Sequence, residues 1–223
     1  MLILGIETAS CAGGAALVED TRIIAEHYSI APMTHAERLL PVIDTLLRDC
    51  GANINDVDLI AVSIGPGSFT GLRIGMATAK GLAFSARKPI VGVPTLDAFV
   101  QLHVPSPTRI MPILDARKGE VFIALYDGDG RKLTSEVNLK PDILAKNMKE
   151  ESALLIIGDG ARKYREIFEK VSGIKFSPPE LDDPRPGTVA IVARQLFLEG
   201  KVQDVDSLTP LYIRRSDAEL NAP

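Results

Sequence analysis

Short apolar runs separated by small or charged residues set the rhythm of the first half of the chain. Residues 2–6 (Leu-Ile-Leu-Gly-Ile) read as a buried strand. Residues 8–14 are small and turn-prone, and Ala15-Ala16-Leu17-Val18 resumes as a strand that closes on Glu19-Asp20. With a third strand at 22–29, the pattern predicts an antiparallel meander with tight turns. A helix follows over 35–50. Leu39, Leu40, Val42, Ile43, Leu46 and Leu47 share its apolar face, Glu37, Arg38, Asp44, Arg48 and Asp49 lie opposite, and Gly51 marks its end. Residues 57–64 predict another buried strand, Gly65–Gly71 a loop, 71–86 a second helix and Ile90–Val93 a fifth strand. A short helix opens at Pro94.

The second half starts again in the same way. Ile110–Leu114 is an apolar strand ending in a carboxylate, Asp115, as residues 2–6 end in Glu7. A turn at Lys118-Gly119 leads to the alternating strand Val121–Tyr126, and Asp127-Gly128-Asp129-Gly130 predicts a hairpin turn. A strand at 132–138, a helix at 141–149, a strand at 154–158 and a helix at 161–170 follow. Segment 174–187 carries four prolines and reads as loop, before a helix at 188–199 and an extended closing stretch at Pro210–Ile213. Residues 104–108 (Val-Pro-Ser-Pro-Thr) read as a linker. The expectation is a duplicated α/β fold, with domains over 1–104 and 105–223 and the last residues packing back on the first domain.

Composition narrows the function classes. The chain has 223 residues, 46% hydrophobic and 24% charged, which suits a globular protein with its own core. The formal charge is -4, so no basic surplus signals a stand-alone nucleic-acid binder. No apolar run reaches the roughly 20 residues of a membrane span, and the first residues lack the basic start of a signal peptide. Two cysteines, Cys11 and Cys50, make no disulfide framework and fit a reducing cytosol, so a cytoplasmic location is expected.

Few residues offer chemistry. The loop Gly65-Pro66-Gly67-Ser68-Phe69-Thr70-Gly71 joins a strand to a helix, with Ser68 or Thr70 placed to cap it. A phosphate loop would need Lys and then Ser or Thr after the final glycine, and Leu72-Arg73 stand there instead. A close-packing turn is the favoured reading. In the helix behind it, Gly71, Gly75, Ala79 and Ala83 recur every fourth residue, while Leu72, Ile74, Met76, Leu82 and Phe84 cover most of the rest. Such a helix is covered on more than one side, by its own domain or by a partner. His27, His35 and His103 make no paired-histidine metal motif, and no nucleophile stands out. Glu7 and Asp115 either serve a metal-nucleotide across a cleft or cap turns.

The opening Ile-Leu-Gly-Ile-Glu-Thr-Ala-Ser, the run Gly65–Gly75, Ala77–Ala83, Gly92–Leu96, Leu114–Val121 and Pro210–Arg214 together resemble the TsaB (YeaZ) family over essentially the whole chain. The resemblance implies two tandem RNase H-like domains of the actin and sugar-kinase (ASKHA) superfamily, an α/β fold. It also implies a role in forming N6-threonylcarbamoyladenosine beside the anticodon of tRNAs that read ANN codons. In that pathway a paralogue, TsaD, transfers the group at a metal site, and TsaB-like proteins bind it as non-catalytic subunits that an ATPase, TsaE, joins.

For this chain the resemblance implies no catalytic residue, no metal of its own, and no required cofactor. ATP or ADP at the complex interface is compatible with it. tRNA is expected to be reached mainly through the complex, with a homodimer forming when the partner is missing. The implied partner face is His35, Leu39, Ile43, Arg73, Ile74, Met76, Ala77 and Lys80. Gly65, Gly67, Ser68, Thr70, Gly71, Gly75 and Ala79 form the close-packing loop and helix, with Glu7 and Asp115 as nucleotide-proximal positions. In His35-Ala36-Glu37-Arg38-Leu39, one histidine of the paralogue's four-spaced pair is present and the other is not. The superfamily's usual Asp at the end of the first strand is Glu7 here, which displaces the carboxylate by about an ångström. The competing readings are a stand-alone ASKHA-type kinase or ATPase and, less favoured, a metallopeptidase.

Overall fold

The computed structural model describes residues 1–30, 34–148 and 153–214. It divides into two units, Met1–Ala98 with Pro184–Leu211, and Phe99–Asp183 with the chain from Tyr212.

The first unit is built on a five-stranded sheet of β1 (Leu2–Glu7), β2 (Ala12–Glu19), β3 (Arg22–Ile30), β4 (Leu59–Gly65) and β5 (Ile90–Pro94), in the order β3-β2-β1-β4-β5. β1–β2 and β2–β3 pair antiparallel, whereas β1–β4 and β4–β5 pair parallel through helical crossovers. Side chains alternate between two apolar layers, as the two-residue period of a strand requires. Leu4, Ile6, Leu17, Ile60 and Val62 pack with α1 (His35–Asp49) and α2 (Phe69–Ala86). Ile3, Ala16, Val18, Leu59, Ala61 and Val91 pack with Val189, Ala190 and Ala193 of α7 (Pro186–Leu198).

The second unit repeats the plan. Its sheet runs β10-β9-β6-β7-β8, which is the first unit's order read from the other edge. The strands are β6 (Arg109–Arg117), β7 (Glu120–Ile123), β8 (Val137–Leu139), β9 (Leu154–Ile157) and β10 (Ile174–Phe176). β6 pairs antiparallel with β7 and parallel with β9, as β1 does with β2 and β4. Met111, Ile113, Ile123, Leu154 and Ile156 form its core with α4 (Pro141–Asn147), α5 (Asp159–Lys163) and α6 (Arg165–Phe168). The short helix α3 (Thr95–Val100) carries the chain out of the first unit.

Several elements differ from the sequence reading. The expected strand 132–138 shortens to Val137–Leu139, because Asp127 Oδ1 accepts the amides of Asp129 and Arg131 and holds the chain in a turn. Lys132 keeps only an isolated bridge to Tyr126. The expected helix 161–170 is two helices, broken where Tyr164 leaves helical geometry (φ -107°, ψ 27°). The proline-rich segment contains β10, and Pro186 starts α7 instead of breaking it, since a first-turn proline has no amide to lose. The end of the expected helix 141–149, Lys149, lies outside the described residues, as does 215–223 of the expected second domain.

The largest difference is ownership of α7, which the reading of 105–223 as one domain placed in the second half. Three contacts fasten it to the first sheet. A side chain at Gly5 would stand 2.2 Å from the Pro186 carbonyl oxygen, so only glycine lets α7 come this close to β1. Glu26 on β3 accepts the Gly187 amide at 2.8 Å and Arg185 at 3.4 Å, closing the positive end of the helix with a carboxylate. The returning chain also covers the outer edge of β5: Gln203 donates its amide to Ile90 and accepts that of Gly92 through its side chain. Replacing Glu26 with Ala removes both α7 bonds and is expected to cost about 1–3 kcal/mol, read as a lower urea midpoint with the same slope.

Candidate functional site

The residues singled out in the sequence converge on the carboxyl ends of β1 and β4. The β1–β2 turn lies directly under α2. Ser68 donates its amide to the Ala9 carbonyl at 2.6 Å, and its hydroxyl accepts the Gly71 amide at 3.3 Å as the helix cap. A Cβ at Gly67 would meet Ala9, one at Gly71 the Thr8 carbonyl oxygen at 2.1 Å, and one at Gly75 the Thr8 hydroxyl oxygen at 2.1 Å. Ala79 continues the same buried stripe, and Gly65, at φ 118°, packs against the Leu211 carbonyl. Thr70 is exposed. The small-residue stripe is thus filled by the chain's own turn and cannot meet a partner.

α1 closes the other side of that turn. Glu37 accepts the Thr34 amide at 2.9 Å, which pins the helix start. His35 donates from Nε2 to the Ser10 carbonyl at 2.9 Å and accepts Arg38 at Nδ1, 3.0 Å away. Both ring nitrogens are spent, so His35 has no lone pair for a metal. Burial holds its pKa below the ordinary histidine value, and Arg38 adds to that against the opposing Ser10 bond. Arg38 belongs to the expected polar face, yet it is buried. Its guanidinium donates to the Ser29 carbonyl and hydroxyl, each at 2.8 Å, and to the Cys11 carbonyl at 3.2 Å. It ties the β1–β2 turn, β3 and α1 together, with no carboxylate partner among the described residues. Nothing in the spacing of Arg38 distinguished it from the surface charges of the same helix.

Glu7 is fully buried. Its Oε1 accepts the Ala9 amide, its Oε2 finds no hydrogen-bond partner among the described residues, and Ser63 lies beside it. Burial pushes its pKa up to about 7, with the Ala9, Ser63 and Thr8 groups pulling it partly back. At neutral pH the buried side chain therefore carries only part of a negative charge. Asp115, in the second unit, has its Oδ2 2.8 Å from Lys163 and 3.5 Å from Arg117. Among the described residues no group of three or more His, Cys, Asp or Glu side chains is placed to hold a metal ion, and no helix is long and apolar enough to cross a membrane.

The expected partner residues divide in two. Leu39, Ile43 and Met76 are buried in the first core, so they are corrected from surface to interior: the amphipathic faces of α1 and α2 turn toward their own sheet. His35 is held inside as described, Ile74 packs on the core, and Lys80 donates to the Asp206 carbonyl at 3.3 Å. Arg73 and Ala77 face outward, Arg73 lying 3.7 Å over the Phe69 ring. Sequence reasoning missed two exposed apolar residues on these helices. Leu40 is 55% exposed and Phe84 78% exposed, although both had been assigned to apolar, covered surfaces.

Comparison with known proteins places these features. The family model described as TsaD, tRNA N6-adenosine threonylcarbamoyltransferase, matches residues 27–222. The tRNA threonylcarbamoyladenosine biosynthesis protein TsaB of Escherichia coli is 34% identical over 100% of this chain and 99% of its own, and that of Bacillus subtilis 32% over 98% and 96%. This chain belongs to the TsaB (YeaZ) family. YeaZ from Pseudomonas aeruginosa superposes at a TM-score of 0.80, with 27% identity over 95% of this chain and 99% of that one. More distant likenesses, such as a hexokinase of Thermus thermophilus at a TM-score of 0.51 and 12% identity over 90% of this chain and 100% of that one, share the ASKHA-type fold.

Two outcomes follow from the geometry. Gly75→Ala must displace the Thr8 side chain and is expected to destabilise the chain by about 1–3 kcal/mol, measured by chemical denaturation. Gly75→Arg should not yield folded protein. For Glu7, the folded state binds the proton more tightly than the unfolded state does. Its contribution to stability is complete below pH 4.5 and is lost as pH rises through about 7. Glu7→Gln should flatten that fall and exceed the wild type above pH 7 by about 3 kcal/mol, read from urea midpoints across the range.

Proposed function

We propose that this chain is the non-catalytic subunit that binds a TsaD-type transferase and so supports formation of N6-threonylcarbamoyladenosine on tRNA. Family membership supports the pathway, since the curated relatives are named for it. The observation that carries the scaffold role is the contrast between the chain's chemistry and its surface. The candidate side chains singled out in the sequence are committed within the fold: His35 to Ser10 and Arg38, Asp115 to Lys163, and Glu7 to a fully buried position that raises its pKa. The outer line of α2, meanwhile, shows Arg73, Ala77 and Phe84, and α1 exposes Leu40. An exposed phenylalanine on a helix suits a buried anchor in a protein interface.

A TsaE-type ATPase joins the assembly, ATP or ADP belongs to the assembled complex rather than to Glu7, and the same outer face pairs two copies when the partner is absent. A stand-alone kinase or ATPase is disfavoured by the state of Glu7 and Asp115. Light scattering after size exclusion tests the reading. The chain and its host's TsaD-type paralogue should elute as one heteromeric species, and Phe84→Glu should weaken that assembly by at least roughly tenfold while leaving the thermal melt unchanged. Two unaltered peaks from the wild-type mixture would overturn the proposal.

A further inference from the structure

The second unit carries a charge arrangement that the scaffold role does not use. Around the end of β6 and the helix α5, carboxylates lie underneath and cations lie on top. Asp115 has a side chain only 5% exposed, whereas Arg117 and Lys163, both paired to its Oδ2, are 72% and 47% exposed. Sharing one oxygen fixes their two heads side by side. Arg162, 43% exposed, stands next to Lys163 on α5 and reaches down to the buried Asp182 and Asp183 at 3.6 and 3.8 Å. Asp159 at the start of α5 accepts the Asp115 amide at 2.9 Å, so hairpin and helix form one cluster. Lys118, exposed at the tip of the β6–β7 turn, completes the layer.

Asp115 holds Arg117 and Lys163 in place, and Asp182 and Asp183 hold Arg162. An anion arriving from solvent therefore meets cations whose ordering cost is already met. Fixed, adjacent lysine and arginine heads match a chain of phosphates, which they bind without reading sequence.

We propose that Arg117, Lys118, Arg162 and Lys163 contact the phosphodiester backbone of RNA. This rests on the reading of the chain as a subunit of a tRNA-modifying assembly, and it adds a direct contact by this chain. The overall charge of -4 does not oppose it, because the contact is local and one patch among several in an assembly.

The test titrates a fluorescent tRNA transcript against the full chain, alone and mixed with its TsaD-type partner, over a range of salt. It compares the wild type with Arg117→Gln/Lys118→Gln/Lys163→Gln, and with Lys118→Glu alone in case the triple variant disturbs the hairpin. Light scattering on the same samples reports assembly. The triple variant is expected to assemble normally and to bind RNA roughly tenfold more weakly at moderate salt. Its slope of log affinity against log salt should fall by about 0.7–0.9 per cation removed. Unchanged affinity and slope in both variants would overturn the proposal. So would lost assembly with unchanged RNA binding by the chain alone, since the patch would then be a protein contact. A wild-type chain that ignores the TsaD-type partner would refute the scaffold reading instead, and the RNA titration of the chain alone would still decide this one.

Discussion

The contact on which the first unit depends is the meeting of α2 with the β1–β2 turn. Thr8 and Ala9 press into the helix where Gly67, Gly71 and Gly75 leave no side chain in the way. Because a Cβ at either Gly71 or Gly75 would fall 2.1 Å from an oxygen of Thr8, the distance between helix and turn is set by backbone, not by adjustable side chains. The consequences spread outward. The turn is held low over the sheet, which buries Glu7 at the end of β1 and presents the Ser10 and Cys11 carbonyls to α1. His35 and Arg38 then answer those carbonyls, and α1 is locked beside α2.

That arrangement also fixes the surroundings of the carboxyl group at the end of β1. In an ASKHA-type fold the ends of the first strands of each half are where chemistry can be mounted. Here the first is a fully buried carboxyl whose pKa is pushed up to about 7, and the second is a carboxylate paired with Lys163. A change in the charge of Glu7 is therefore expected to change stability.

The two halves reached similar sheets by different means. In the first unit the returning α7 covers the face opposite α1 and α2, so the sheet is buried on both sides by one chain's helices. The closing helix of the second half thereby completes the first half's core. A domain boundary drawn from sequence order alone could not show this. The residues that enforce it, Gly5 and Glu26, stand more than 150 positions from their partners Pro186 and Gly187.

Much was legible in the chain itself. Periodicity of two and of about four residues placed all five strands of the first sheet and both of its long helices, because alternation and amphipathic spacing are local consequences of backbone geometry. Repetition of strand, carboxylate, turn and strand revealed the duplication that the matching strand orders display. The family was legible because the glycine-rich run and its flanking blocks are spread in order over the whole chain, and the full-length relatives agree. What only tertiary structure decided is which way each apolar face turns. Leu39, Ile43 and Met76 carry the same side-chain chemistry as Leu40 and Phe84, yet the first three are core and the last two are surface. Arg38 reads like its neighbours Glu37 and Arg48, yet it is buried because three acceptors from Ser29 and Cys11 meet it there, with His35 Nδ1 on its own helix as a fourth. Hydrophobic pattern specifies that a face must be covered, and only the folded chain determines which surface covers it.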